Sequence, residues 1–313
     1  MVFLSLPACG QDVAVSSPAA SFDSFDRAVM ANPKSELPYI ARAEAYFKAG
    51  QGDKALSDLQ TALKIAPKSV PALELRGDIF FSQSNFVKAA EVYTLALWYD
   101  AKNAILFNKR GNVYVRMGNN DRAIRSYSRA IALSPGDFKP YFNRGQLFYN
   151  TGQWRAAIAD FSKVLELSPA QDVALFMRGN SYCKIGSEEK SSSDFSKCLE
   201  HNPSNTFAYN ARGRLYMQKG DYEKAREDFS KALALNPSDS IALMNMASYH
   251  WTARKDKKQA LRFAARAYKA GFAAAKPRYD TGFDMTFLKG LSEDKEFRAL
   301  AETQEGSAAR GDE

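Results

Sequence analysis

The sequence predicts an all-α protein, a solenoid of repeated helical hairpins, and three observations support this prediction. An Arg-Gly pair recurs every 34 residues, with its glycine at Gly77, Gly111, Gly145, Gly179 and Gly213. Each segment contains two stretches whose apolar residues recur every three or four positions, which is the spacing of one helix face. Glycine or proline stands between these stretches, where helices end. One hairpin cannot bury its apolar face alone, so stacked copies complete one another's core.

The first helix of each repeat, here called helix A, is predicted around the Arg-Gly pair. With the glycine at position 8, the repeats start at Glu36, Val70, Ala104, Phe138, Asp172, Thr206 and Ser240. Six of the seven residues directly before these starts are good helix N-caps. Position 11 is aromatic in the first six repeats, at Tyr46, Phe80, Tyr114, Phe148, Tyr182 and Tyr216. Positions 4, 8 and 11 therefore form the packed face of helix A.

The second helix, here called helix B, is predicted from three columns of the repeat. Positions 20 and 27 are small and let two backbones approach closely, while position 24 is large and fills the space beside them. Position 24 is occupied by Leu59, Tyr93, Tyr127, Phe161, Phe195 and Phe229. A glycine at position 15 ends most A helices, and a proline at position 32 ends most B helices.

The array is predicted to carry separate segments at its two ends. The boundaries are a flexible leader or signal remnant at 1–20, a half-repeat capping helix at 21–35, seven repeats at 36–273, C-terminal capping helices at 274–302 and a disordered tail at 303–313. The seventh repeat departs from the pattern, because Met246 and Ala247 replace Arg-Gly and helix B fits only with one inserted residue.

The pattern resembles the tetratricopeptide repeat (TPR) family over residues 36–269. The resemblance is carried by Tyr141, Gly145, Phe148, Ala157, Phe161 and Pro169 of the fourth repeat and by their counterparts in the others. It implies a right-handed superhelix whose concave groove binds protein partners. Bacterial TPR proteins, including envelope lipoproteins that act as adaptors, are similar.

Position 7 departs from the apolar residue that the family usually has there. It is Arg42, Arg76, Arg110, Arg144, Arg178 and Arg212. Position 23 is acidic in four repeats, at Asp58, Asp160, Asp194 and Asp228. We expect Arg–Asp pairs between adjoining helices, because each arginine lies beside the packing glycine. An anion-binding stripe is the alternative.

The sequence carries no signature of an enzyme. It contains none of the patterns GxxxxGK, GxGxxG, GxSxG or HExxH. His201 and His250 lie in different repeats, and His250 takes the aromatic position 11, which favours a place in the core. Cys183 and Cys198 fall at opposite ends of one hairpin and are expected to be unpaired. We therefore predict a non-enzymatic protein with no cofactor and no metal site.

The resemblance implies a partner-binding groove lined by helix A positions 2, 5, 6, 9, 12 and 13. Asparagine recurs at these positions although it is a poor helix former. Amides both donate and accept, so a row of them suits the backbone of an extended peptide, and aromatic or Met side chains add apolar anchors. The predicted groove residues are Asn108, Asn112, Phe142, Asn143, Gln146, Tyr149, Phe176, Asn180, Asn210, Arg214, Met217, Met244, Asn245 and Trp251.

A carboxylate clamp like that of TPR co-chaperones is not predicted. Asn112 and Asn143 match its pattern, but Asn108, Val173 and Met177 stand where the clamp needs cations. The prediction is thus a scaffold or adaptor that binds a protein or peptide other than a chaperone tail.

Positive charge is concentrated in residues 251–280, which hold nine Lys/Arg and two acids within a chain of net charge +8. The predicted anion patch in this segment consists of Lys255, Lys257, Lys258 and Arg262. The alternative function is therefore binding of an acidic protein, an anionic lipid or, less favoured, a nucleic acid. Self-assembly through the ends of the array is a third alternative, and the sequence does not set the oligomeric state.

The N-terminal residues "LPAC" followed by a polar stretch resemble the end of a bacterial lipoprotein signal, with Cys9 as the lipidated residue. The segment is short for a signal peptide and lacks a basic region, which a start site assigned too late would explain. We expect a bacterial cell-envelope protein, periplasmic and lipid-anchored if Cys9 is the lipidated residue, because the polar spacer before the first helix resembles a tether. The alternative is a cytoplasmic protein with an unstructured leader. Membrane contact is expected only through such an anchor.

Overall fold

The structure is a computed structural model that describes residues 18–271 and Lys295. All of its regular elements in that range are helices, which confirms the predicted all-α repeat array. Their bounds are α1 Pro18–Ala31, α2 Glu36–Lys48, α3 Gly52–Ile65, α4 Val70–Ser82, α5 Phe86–Tyr99, α6 Ala104–Arg116, α7 Asn120–Leu133, α8 Phe138–Asn150, α9 Trp154–Leu167, α10 Asp172–Lys184, α11 Glu188–His201, α12 Thr206–Lys219, α13 Tyr222–Leu235, α14 Ser240–Thr252 and α15 Lys257–Lys269. Cys9, the predicted capping helices at 274–302 and the tail at 303–313 lie outside the described residues.

The helices follow the repeat frame closely. Each A helix, from α2 to α14, begins at the residue to which the sequence assigns position 1, and the first six B helices begin at position 17. The last B helix, α15, begins one position later, at Lys257, which confirms the inserted residue. The turn before it contains Lys255 in the left-handed conformation, with φ of 55°.

The helix ends are set by side-chain caps and by left-handed turn residues. The side chains of Asn103 and Asp239 accept backbone N–H groups in the first turns of α6 and α14. Gly118 ends α6 with φ of +72°, a conformation that glycine adopts without strain. Ser84 occupies the same turn after α4 with φ of 59°, where the five other regular repeats have glycine.

The described part of the chain divides into two compact units, with the boundary between Pro140 and Tyr141. In the first unit, α1 packs on α2, with the rings of Phe22 and Tyr46 stacked 4.8 Å apart. The α2–α3 hairpin encloses Leu59, and the α4–α5 and α6–α7 hairpins enclose Tyr93 and Tyr127. These three side chains at position 24 are the buried centres of their repeats.

The second unit repeats this arrangement with phenylalanine at position 24. Phe161, Phe195 and Phe229 are fully buried, each beneath the glycine of its own A helix. The α14–α15 hairpin of the seventh repeat has a core of Leu243, Met244, Ala264 and neighbouring residues. No helix within the described part of the chain has both the length and the hydrophobicity to cross a membrane.

Candidate partner-binding faces

The arginines at position 7 are mostly neutralised inside the repeats. In four repeats the guanidinium donates two hydrogen bonds of 2.7–2.9 Å to the position-23 carboxylate of the same hairpin, and these pairs are Arg42–Asp58, Arg144–Asp160, Arg178–Asp194 and Arg212–Asp228. This confirms the predicted Arg–Asp pairing. At these four positions the stripe is therefore structural rather than a site for an external anion.

A row of polar side chains lies on the A helices of the second unit at position 9. Its members are Gln146 on α8, Asn180 on α10 and Arg214 on α12, and all three are half-buried. Within the described residues, the side-chain amides of Gln146 and Asn180 make no hydrogen bond to the protein. The A helices of two consecutive repeats thus each offer a partner one side-chain amide, which can both donate and accept a hydrogen bond.

Aromatic rings flank this row. Phe142 meets the buried Phe161 edge to face at 5.9 Å, and Phe176 lies 5.7 Å from Phe195. Phe176 is also 6.4 Å from Phe207, a position-2 residue of α12 that is exposed. Sequence reasoning missed Phe207, although position 2 belongs to the groove positions and an aromatic residue there was the available signal.

Three predicted groove residues have to be withdrawn as accessible side chains. Asn210 and Asn245 are only 3% and 1% exposed, and Met244 is fully buried in the α14–α15 core. Asn245 donates to the Asn210 carbonyl oxygen at 2.9 Å, and Asn210 donates to the Asp239 carboxylate at 2.9 Å. These two asparagines therefore join α12 to α14 instead of facing a partner.

Position 12 provides side chains of mixed character. Tyr149, Met217 and Trp251 are half-buried, and Met217 and Trp251 pack against the clusters around Phe229 and Leu243. The position-12 thiol of Cys183 lies 2.9 Å from the Ser191 hydroxyl, and burial raises its pKa. Cys183 and Cys198 are both free thiols, as expected, and burial raises the pKa of Cys198 to about 12.

The corresponding face of the first unit is ionic rather than purely polar. Lys109 lies 2.7 Å from both the Glu74 and the Asp78 carboxylates, and Asp78 also accepts a 2.5 Å hydrogen bond from Tyr93. Burial alone would lower the pKa of Lys109, but its bonds to the two carboxylates outweigh this and raise it. The prediction did not include this cluster. The signal in the sequence was the pair of acids at positions 5 and 9 of one repeat together with a lysine at position 6 of the next.

The two asparagines predicted for this face, Asn108 and Asn112, are half-buried. The Asn112 carbonyl oxygen accepts a 2.7 Å hydrogen bond from Tyr127, the position-24 residue of the same repeat. Asn143, on α8 in the second unit, is likewise half-buried. Asn112 is thus partly committed to its own hairpin, which weakens its case as a partner contact.

The four residues of the predicted anion patch surround the start of α15. Lys255, Lys257, Lys258 and Arg262 are all exposed. His250 lies beneath this turn, with its ring stacked 5.3 Å from that of Phe263, and burial lowers its pKa. In the described part of the chain, no cluster of His, Cys, Asp or Glu has the arrangement of a metal site.

The architecture is that of a helical repeat protein, a tandem array of two-helix units with side chains displayed along the A helices. Family models of the tetratricopeptide repeat match residues 40–104, 138–171 and 206–239, and a further TPR model matches residues 111–152. These matches together cover more than half of the chain, and the protein belongs to the tetratricopeptide repeat family. TPR arrays are typically non-catalytic scaffolds for protein interactions.

Solved structures of TPR proteins share the fold. The C-terminal part of a TPR protein from Cytophaga hutchinsonii is 19% identical with a TM-score of 0.62, covering 79% of this chain and 100% of that one. PilF of Pseudomonas aeruginosa is 20% identical with a TM-score of 0.58, covering 72% and 99%. YrrB, a TPR protein with an unusual peptide-binding site, is 24% identical with a TM-score of 0.52, covering 60% and 97%. No curated protein sequence matches the chain significantly.

Proposed function

We propose that this protein is a non-catalytic scaffold that binds an extended peptide segment of a partner protein on the A-helix face of its second unit. The observation that carries the proposal is the pair of half-buried amides, Gln146 and Asn180. Neither makes a side-chain hydrogen bond within the described residues, so the backbone groups of a bound peptide can pair with their donors and acceptors. YrrB, which shares the fold, has a peptide-binding site, and this agrees with the proposal.

The spacing of the amides suits an extended chain. Packed helices lie about 8–10 Å apart, and an extended peptide rises about 3.3 Å per residue. A peptide crossing α8 and α10 would therefore present a backbone group to each amide about every third residue. Phe176 and Phe207 lie beside the row and would hold an apolar side chain of the peptide, while Arg214 would accept an acidic one.

The experiment begins with peptides selected from a library of unstructured sequences displayed on phage, with the full chain as bait. The affinity of a selected peptide is then measured for the wild type and for the double variant Gln146→Ala with Asn180→Ala. Each lost hydrogen bond is worth about 0.5–1.5 kcal/mol, so the double variant should bind about fivefold or more weakly. Stability should be unchanged, because alanine is the better helix former.

The control is the double variant Lys255→Ala with Lys258→Ala, which removes two exposed charges near α15. Wild-type affinity for this variant, and weak dependence on salt, would agree with the proposal. Binding that survives the amide changes but is lost with the lysines, and that weakens steeply as salt rises, would assign the function to the anion patch instead.

A further inference from the structure

The exposed face of α5 differs from that of every other B helix in the regular repeats. Val87, Leu95 and Trp98 are 58%, 43% and 82% exposed. At the position of Val87, the five other regular repeats have Asp53, Asp121, Arg155, Glu189 and Glu223. At the position of Leu95, they have Thr61, Arg129, Lys163, Lys197 and Lys231. At the position of Trp98, they have Lys64, Ala132, Glu166, Glu200 and Ala234. Because the repeat folds with polar or small residues at these positions, packing does not explain the apolar ones.

The three side chains form a ridge, here called the α5 ridge. They are spaced so that they share one face of the helix, and they extend over about 16 Å at 1.5 Å per residue. An open depression lined by Gln83, Ser84, Phe86, Val87 and Met117 adjoins the Val87 end of the ridge. Contiguous exposed apolar surface of this kind marks an interaction site.

The same part of the first unit interrupts the Arg–Asp pairing. Arg76 and Arg110 occupy position 7 like the paired arginines, but position 23 of their hairpins is Val92 and Ser126. Within the described residues, Arg76 makes no hydrogen bond or ion pair. Arg110 reaches only the Thr94 hydroxyl, at 3.4 Å, and its Nε is buried without an acceptor. Two half-buried guanidinium groups thus lack the carboxylate that their counterparts have.

Each of these two cations is linked to a residue adjacent to the α5 ridge. Thr94, which Arg110 contacts, lies beside Leu95 and one turn before Trp98 on the exposed side of α5. Arg76 lies over the ring of Phe80, and Lys88, the neighbour of Val87, lies over the same ring, at 5.6 and 5.5 Å. Burial lowers the pKa of Arg110, as expected for a guanidinium that has lost water without gaining a counter-ion.

We propose that the α5 ridge binds an amphipathic helix of a partner protein, whose apolar residues cover Val87, Leu95 and Trp98 and whose carboxylates pair with Arg76 and Arg110. A helix fits because the ridge itself has helical spacing over three turns. Carboxylates fit because both guanidinium groups lack the counter-ion that an aspartate supplies in the other repeats. This surface lies on a B helix and is independent of the A-helix face proposed above.

The decisive variant is Ser126→Asp, which places a carboxylate where Asp160, Asp194 and Asp228 have theirs. It should pair with Arg110 inside the hairpin and raise the thermal midpoint. It should also remove Arg110 from any partner. The probe is a fluorescein-labelled amphipathic helical peptide with leucine on one face and glutamate on both flanks, and a second peptide has lysine in place of glutamate. Binding is measured by fluorescence anisotropy with the full chain.

We expect the glutamate peptide to bind about tenfold or more tightly than the lysine peptide, and Trp98→Ala and Ser126→Asp each to weaken it about fivefold or more. Lys197→Ala, at the position of Leu95 in a sister repeat, should leave binding unchanged. The proposal is overturned if the glutamate peptide does not bind, if both peptides bind equally, or if neither ridge variant weakens binding. Sedimentation that shows a dimer which Trp98→Glu dissociates would also overturn it, because a second copy of the chain would then be the occupant.

Discussion

Arg178 donates two hydrogen bonds of 2.8 Å to Asp194, and the pair joins α10 to α11 within one hairpin. The Arg178 Nη1 extends the link to the Ser162 hydroxyl of the preceding repeat, at 3.1 Å. The guanidinium also lies 5.9 Å from the ring of Tyr182. One side chain therefore holds the two helices of its own repeat together and ties them to the repeat before.

Asp194→Asn should destabilise the protein, because it leaves Arg178 half-buried without a counter-ion. Breaking a buried pair costs about 3–5 kcal/mol, and the partial exposure of Arg178 reduces the expected loss to about 2–4 kcal/mol. Urea unfolding measures the loss. Glu166→Gln is the control, since it breaks the exposed Lys163–Glu166 pair, which solvent screens, and should therefore cost much less stability. Equal losses for the two variants would contradict a structural role for the Arg–Asp pairs.

Gly179→Ala should destabilise more than Gly145→Ala. A Cβ atom at Gly179 would lie 2.7 Å from a Phe195 ring carbon, whereas at Gly145 it would lie 3.1 Å from Phe161. Overpacking costs about 1–3 kcal/mol, and the gain in helix propensity offsets about 1 kcal/mol of it. The larger Gly145→Leu should be severe. Thermal melting gives the ranking, and adding Phe195→Leu should recover part of the Gly179→Ala loss. If Gly145→Leu melted like the wild type, the assignment of position 8 to a helix contact would be wrong.

His250 should make the protein less stable in acid. Burial lowers its pKa in the folded state below the value of about 6.5 expected in the unfolded chain, with nearby Asp256 opposing the shift and Arg254 adding to it. The folded state thus disfavours protonation, so the stability contributed by neutral His250 is present above about pH 6.5 and is lost as the pH falls through the lowered pKa. His250→Phe keeps the stacking on Phe263 and should flatten this part of the stability profile. Histidine titrates between about pH 5 and 7. If the slope of stability against pH in that range were the same in His250→Phe as in the wild type, the assignment would be contradicted.

Lys109→Met should destabilise the first unit, because it leaves Glu74 and Asp78 as neighbouring carboxylates with no cation between them. The expected cost is about 1–3 kcal/mol, measured by urea unfolding. Adding Asp78→Asn should recover part of it by removing one of the two charges. Additive losses for the two changes would show that Lys109 and Asp78 act independently, against the contacts seen here.

Much of the fold could be predicted because the repeat states each constraint several times. The position of Gly145 set the repeat frame. The pairing of position 7 with position 23 was expected because each arginine lies beside the packing glycine, with an anion-binding stripe as the alternative. Burial at the end of the array could not be predicted in this way. Asn210 and Asn245 stand at groove positions 5 and 6, as Asn180 stands at groove position 9, yet their amides bond to each other and to Asp239 rather than facing outward. The position of a residue in the repeat indicates which helix face it occupies, but it does not indicate what packs on that face.

For the candidate sites too, the sequence predicted some features and only the structure showed the others. Gln146 and Asn180 were predicted from the groove positions that the TPR resemblance implies, and their lack of internal hydrogen bonds required the structure. The sequence alone shows that Ser126 and Val92 replace the acid at position 23. What this replacement means for partner binding depends on where Arg110 and Arg76 lie relative to α5. Deviations from the repeat were therefore as informative as the repeat itself, once the geometry showed which of them adjoin.

Within each unit, the described helices pack substantially only on helices one or two places away along the chain. Contacts of such short sequence separation require little loop closure before they form, so the barrier to folding is low and folding is expected to be fast for the chain length. Because each hairpin contacts only its neighbours, unfolding is cooperative within groups of neighbouring hairpins rather than over the whole array. Native-state hydrogen exchange should therefore reveal hairpins that open separately, with partly unfolded forms present at equilibrium while the remaining repeats stay intact.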